Sequence, residues 1–150
     1  MEDESVKMLE GEESGMGKNH DIATEVGIVE AWHEALNRSD IERLVMLSHP
    51  DVEVGGPHGI GHGTKLLQEW ADRANIRLTP LRVFHRDDTV VVQQEAEWRS
   101  AETGLVTGDQ TVSSIFVVRD GRVTSVVRYA DLTDAFHKAN LDESSEVGAN

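Results

Sequence analysis

The chain has 150 residues, 38% of them hydrophobic, and a net charge of −14, which suits one folded domain with a strongly acidic surface. That charge opposes nucleic acid and anionic membranes, so neither is an expected partner. There is no cysteine, which excludes disulfides, thiolate metal sites and cysteine nucleophiles. No apolar run approaches the ~20 residues of a membrane span. The acidic N-terminus lacks the apolar segment of a secretion signal, so a cytoplasmic location is expected.

Residues 1–20 read as an acidic disordered tail, because Glu2, Asp3, Glu4, Glu10, Glu12 and Glu13 oppose only Lys7 and Lys18. The folded domain is expected over 21–139. Val26, Val29, Trp32, Ala35 and Leu36 recur at helical spacing and predict a helix over 22–38. Asp40 caps a shorter helix carrying Ile41, Leu44, Val45 and Leu47, and His49-Pro50 ends it. Val52 and Val54 share one face of a short strand over 51–55. The glycine-rich stretch 55–63 lacks the spacing and lysine of a phosphate loop, and reads as a flexible connection. A third helix follows over 64–75, then a strand over 76–86.

Three long antiparallel strands are predicted over 89–100, 106–118 and 122–131. Along the first, Val90, Val92, Gln94, Ala96 and Trp98 alternate with a wetter set, so they point inward. A short helix over 131–139 and an acidic frayed end over 140–150 complete the chain. The turn at Asp120-Gly121 sets the register of the last hairpin. A two-residue turn pairs Val118 with Val123 and places Arg128 with Ser113 and Ile115. A three-residue loop pairs Val118 with Arg122 and places Arg128 opposite Val112, on the face of Gln110, Ser114 and Phe116. The three-residue loop is the expected one. It leaves Ile115, Val117, Val123 and Val127 outside, which implies a homodimer through the outer sheet face.

Ala35-Leu36-Asn37-Arg38-Ser39-Asp40, His49-Pro50-Asp51-Val52, Gly56-Pro57 and the segment from Phe116 to Val123 occur in an order that resembles the nuclear transport factor 2-like superfamily. Within it the chain is most similar to the SnoaL-like group, over roughly residues 22–137. The resemblance implies a cone-shaped α+β barrel: a curved, mostly antiparallel sheet wrapped on three N-terminal helices, with a short C-terminal helix and a pocket on the concave side. On the pattern of the related limonene epoxide hydrolases, the catalytic arginine falls at Gln94 and the two aspartates at Ala96 and Arg128. Their tyrosine and asparagine fall at Val54 and Gly56, so no carboxylate remains to activate water. Ketosteroid isomerases imply an aspartate near Gly56 and a tyrosine near Trp32, and this chain has neither.

An inward Arg128 needs an anion, supplied by a ligand or by an acid on a helix, unless its head reaches solvent. Gln94, Gln110 and Val112 are expected beside it, and Trp32, Val54, Trp70 and Trp98 are expected to wall an apolar pocket. His33 and His58 are the candidate proton carriers, since histidine titrates near neutrality. His58 and His62 sit four apart in a glycine loop with no helix to hold them, so no metal site is expected. No cofactor motif is present, and no cofactor is expected. These residues point to a small-molecule-binding protein whose chemistry is isomerase, cyclase or lyase. In that reading Arg128 is expected to stabilise negative charge on a partly apolar anionic substrate. The alternative is a non-catalytic binding or dimerisation module with a side-chain-filled pocket.

Overall fold

The computed structural model describes residues 17–56, 59–100 and 102–147. Its helices are α1 (Gly17–Asn37), α2 (Ile41–Met46), α3 (Thr64–Ala74) and α4 (Leu132–Ala139). Its strands are β1 (Ser48–Gly56), β2 (Gly59–His62), β3 (Ile76–Arg86), β4 (Thr89–Arg99), β5 (Val106–Arg119) and β6 (Arg122–Tyr129). They form one mixed sheet in the order β2-β1-β6-β5-β4-β3, parallel only between β1 and β6. The edges β2 and β3 do not pair, so the sheet stays open. This is the α+β cone arrangement, with an open sheet in place of a closed barrel.

The main core lies between α1 to α3 and one sheet face. Val26, Val29, Trp32 and Leu36 of α1 bury their side chains against Val90, Val92, Val112 and Phe116. The end of α1 is tied to the sheet edge by Asn37. Its amide donates to the Leu78 carbonyl at 2.7 Å and accepts from the Leu78 N–H at 2.8 Å, satisfying two edge groups that β4 cannot reach. Asp40 caps α2 by accepting from the Arg43 N–H at 3.2 Å.

A second, smaller core covers the other sheet face. There α4 lays Ala135 and Phe136 over Phe84, Val91 and Ile115. Phe136 meets Phe84 edge-on, with ring centroids 4.8 Å apart. Ile115, expected to face a second subunit, is therefore covered by the chain's own helix. The segment after α4 is also held, contrary to the frayed end expected. Leu141 is buried, the Val147 N–H donates to the Val83 carbonyl at 2.7 Å, and Arg82 pairs with Glu143 at 2.6 Å and Glu146 at 2.7 Å. At the other end α1 begins at Gly17, inside the stretch read as tail, while residues 1–16 lie outside the described residues.

The last hairpin corrects the register. Asp120 and Gly121, with φ of 53° and 77°, make a two-residue turn that pairs Arg119 with Arg122 and Val118 with Val123. No three-residue loop forms. A bulge follows instead: Val117 pairs with Ser125, so Thr124 is an extra residue in β6. The Thr124 hydroxyl donates to the Val117 carbonyl at 3.2 Å within this bulge. Beyond it the register has moved by one, and Arg128 lies opposite Ser114 rather than Val112. Val123, expected outside, is fully buried in the main core. Because α4 closes the second core, Phe136→Ala is expected to lower the unfolding free energy by about 2 kcal/mol in urea titrations, for a partly exposed aromatic.

Candidate functional site

A cavity of about 590 Å³ opens between the helices and the sheet. Its floor is Ser114, Val126 and Arg128, side by side on β5 and β6. Trp32 of α1 and Leu66 and Trp70 of α3 form the roof. Val54, Gly55 and Gly56 of β1 and Gly59 to Gly61 of β2 make one wall, and Ile76 and Leu78 of β3 the other. Residues from both edges of the sheet thus share one hollow, which is the consequence of its curl.

The glycine-rich stretch contributes a wall rather than a loose connection. β1 and β2 form a hairpin in which Gly55 pairs with Ile60 and Gly56 with Gly59. A Cβ on Gly55 would lie 2.5 Å from Ile60 Cγ1 and 3.0 Å from the Gly59 carbonyl, so this close approach requires glycine. At Gly56 a Cβ would stand 3.8 Å from Nε and Nη2 of Arg128, so the missing side chain leaves one flank of the guanidinium open.

Arg128 carries the only charge on the cavity lining and Ser114 the only hydroxyl, among the described residues. The Arg128 guanidinium has no hydrogen bond or ion pair among those residues. In the aromatic roof, the Trp32 N–H is turned away from the cavity. Trp32 and Trp70 lie nearly parallel, with centroids 6.5 Å apart, and the Trp32 indole N–H is spent on Ser48 Oγ at 3.2 Å. Ser48 in turn donates to the Leu44 carbonyl at 2.8 Å.

Beneath Ser114 runs a buried polar chain. His33 Nδ1 lies 2.8 Å from the Val29 carbonyl, which can only accept, so Nδ1 carries the hydrogen. Nε2 therefore accepts from the Gln94 amide at 2.7 Å, and the Gln94 oxygen accepts from Ser114 Oγ at 2.9 Å. Burial pushes the His33 pKa down to about 4, against the smaller opposing pull of the Val29 carbonyl, so the ring is neutral at pH 7.

The sites expected from sequence divide accordingly. Trp32, Val54, Trp70 and Arg128 line the cavity. Gln94 does not touch it: it is fully buried and acts through Ser114. Val112 is packed in the core one inward position away. Gln110 is exposed, because the register shift leaves it four residues, about 14 Å, from Ser114 and beyond the end of β6. Trp98 pairs with Ile76 and Gly108 six residues beyond Val92, the β4 neighbour of Ser114, and is absent from the lining. His33 has both ring nitrogens engaged behind Gln94, which removes it as a proton carrier to the cavity. His58 lies outside the described residues. Ser114, Ile60 and Leu66 were missed. The signal for Ser114 was its place two residues from Phe116 on the inward face.

The depressed His33 pKa has a sign. Between pH 6.5 and 4 the unfolded chain takes up a proton at this ring that the folded chain refuses, so stability falls as pH falls through that window. Lowering pH from 7 to 5 is expected to cost about 2 kcal/mol at this site, measured as the difference in urea unfolding between the wild type and His33→Gln.

Comparison with known proteins bears on the fold. A SnoaL-like domain model matches residues 29–126. No curated protein matches the chain. Among solved structures, TerC co-crystallised with polyporic acid is 25% identical, with a TM-score of 0.63 over 77% of this chain and 96% of its own. A candidate polyketide cyclase from Xanthomonas campestris pv. campestris is 23% identical, with a TM-score of 0.61 over 76% of this chain and 95% of its own. A nuclear transport factor 2-like protein of unknown function from Cytophaga hutchinsonii is 16% identical, with a TM-score of 0.62 over 75% of this chain and 94% of its own. The order of elements and the matched span together place this chain in the SnoaL-like domain family, on the fold seen in the nuclear transport factor 2-like protein.

Proposed function

We propose that the cavity binds a partly apolar small molecule through an anionic group held by Arg128, and that its chemistry is isomerisation or ring closure. The observation that carries this reading is the unpaired guanidinium on the floor of a mostly apolar cavity. A half-buried cation without a counter-ion is costly, and a carboxylate or enolate answers it with two parallel hydrogen bonds. Removed from bulk water, the same cation stabilises an oxyanion that develops during reaction more strongly than it could at an open surface. The stacked indoles of Trp32 and Trp70 suit a flat apolar body.

Two of the similar structures lend support from outside the chain. One was crystallised with an acid, polyporic acid, and another carries a cyclase assignment. Water activation by a carboxylate fits less well, because the described lining holds no Asp or Glu. Proton transfer in this reading falls to His58, which stands in the chain between Gly56 and Gly59, two residues that line the cavity. A side-chain-filled module is disfavoured by a hollow of about 590 Å³. A homodimer through the outer sheet remains part of the proposal, formed by the half-buried Val117 and Val127 that lie beyond the second core.

Binding of 2-naphthoate and of its neutral amide, measured by calorimetry and native mass spectrometry, tests the proposal. The acid is expected to bind the wild type more tightly than the amide. Arg128→Met is expected to weaken the acid by roughly 10- to 100-fold, the worth of a charge-assisted hydrogen bond, and to leave the amide little changed. Equal binding of the acid to wild type and Arg128→Met overturns the assignment.

A further inference from the structure

Ser114 is the second polar group on the cavity floor, and the direction of its hydroxyl hydrogen is set from inside the protein. The chain of hydrogen bonds starts at the Val29 carbonyl, a backbone acceptor in the middle of α1. That carbonyl fixes the hydrogen on His33 Nδ1, which leaves Nε2 as an acceptor. Nε2 then fixes the Gln94 amide nitrogen toward itself and the amide oxygen toward Ser114. The Gln94 oxygen, in turn, takes the Ser114 hydrogen. His33 and Gln94 are at most 3% exposed and lie off the cavity lining, so water does not offer them an alternative partner, and the buried Gln94 oxygen has the Ser114 hydroxyl as its donor. At the cavity end, Ser114 Oγ has its lone pairs left and no hydrogen to give.

Ser114 and Arg128 are directly paired residues on adjacent strands, both inward, so one ligand reaches both. They present opposite demands. Arg128 offers only donors, and Ser114 offers only an acceptor. We propose that Ser114 is a specificity-determining residue, and that the molecule held on Arg128 carries, apart from its anionic group, an O–H or N–H donor that reaches Ser114: a hydroxylated or enolic acid rather than a plain acid, ether or ketone. A ketone or ether oxygen at that position would set lone pair against lone pair. Gln94 and His33 are positioning residues in this scheme, acting on the ligand only through the polarity they impose on Ser114. The inference rests on the reading of the cavity as an anion site.

The test uses the 3- and 4-hydroxybenzoates and the 6- and 7-hydroxy-2-naphthoates, each with its methyl ether and its unsubstituted parent acid, so that no single spacing is presupposed. In these isomers the hydroxyl cannot bond its own carboxylate. Dissociation constants are measured for wild type, Ser114→Ala, Gln94→Met and Arg128→Met, with folding checked by circular dichroism. At least one hydroxy acid is expected to bind the wild type tenfold or more tightly than both its ether and its parent. Ser114→Ala is expected to bring that ratio within about threefold while still binding the parent acid. Gln94→Met frees the Ser114 hydrogen and is expected to narrow the hydroxy-to-ether ratio without removing binding, a change that a merely structural residue would not produce.

If no hydroxy acid is preferred while Arg128→Met weakens every acid, the Ser114 assignment fails and the anion site stands. A preference that survives in Ser114→Ala also overturns it. Where Arg128→Met binds all the acids as the wild type does, or no probe binds the wild type, both assignments fall together.

Discussion

One extra residue in a strand decides what this cavity can do. Thr124 is accommodated as a bulge between the pairs Val118–Val123 and Val117–Ser125, and every side chain after it changes face relative to an unbulged strand. Without that shift Arg128 would lie opposite Ser113, on the face that α4 covers. With it, Val123 and Val126 both reach the main core and Arg128 enters the cavity beside Ser114. A guanidinium there sits among valine, isoleucine, leucine and indole, with no carboxylate supplied by the described chain. The strand's irregularity therefore creates an unmet electrostatic demand, and an unmet demand at the bottom of an apolar hollow is what a ligand satisfies.

The rest of the site is arranged around that pair of strands by parts of the core. Trp32 is fully buried and stabilises α1 against Phe116, and it also belongs to the lining of the cavity. His33, next to it, is neutral because it is buried, and a neutral ring is what lets Gln94 donate to it. Packing and polarity are thus the same structure seen from two sides. The glycines of β1 and β2 complete the wall by letting two backbones approach where any larger side chain would collide with Ile60.

Most of the secondary structure was legible because its signals are local. Helical spacing of Val26, Val29, Trp32 and Leu36, the Asp40 cap, and alternation along β4 each lie within one element. The bulge was not legible in that way. Val123 and Val126 are three apart on one strand, an odd spacing for two residues on the same face, and that was the one trace it left. The β1–β2 hairpin was hidden because glycine carries no side chain to show a period. The C-terminal segment looked frayed because its partners, Arg82 and Val83, lie about sixty residues earlier in the chain. The cavity itself was half visible: Trp32, Val54, Trp70 and Arg128 were singled out, while Gln110 and Trp98 were misplaced along strands that outrun their neighbours. Ser114 could not be ranked from sequence, since its importance comes from Gln94 and His33 on two other elements.

The orientation of a bound acid relative to Arg128 is the most direct measurement of the central claim. Crystals grown with 6-bromo-2-naphthoate locate the bromine by its anomalous signal and fix the ligand end for end. The expected result is a carboxylate paired with the Arg128 guanidinium, the rings beneath Trp32 and Trp70, and the bromine toward the mouth of the cavity. A carboxylate at the mouth, or Arg128 turned to bulk solvent while the cavity stays empty of ligand, contradicts it.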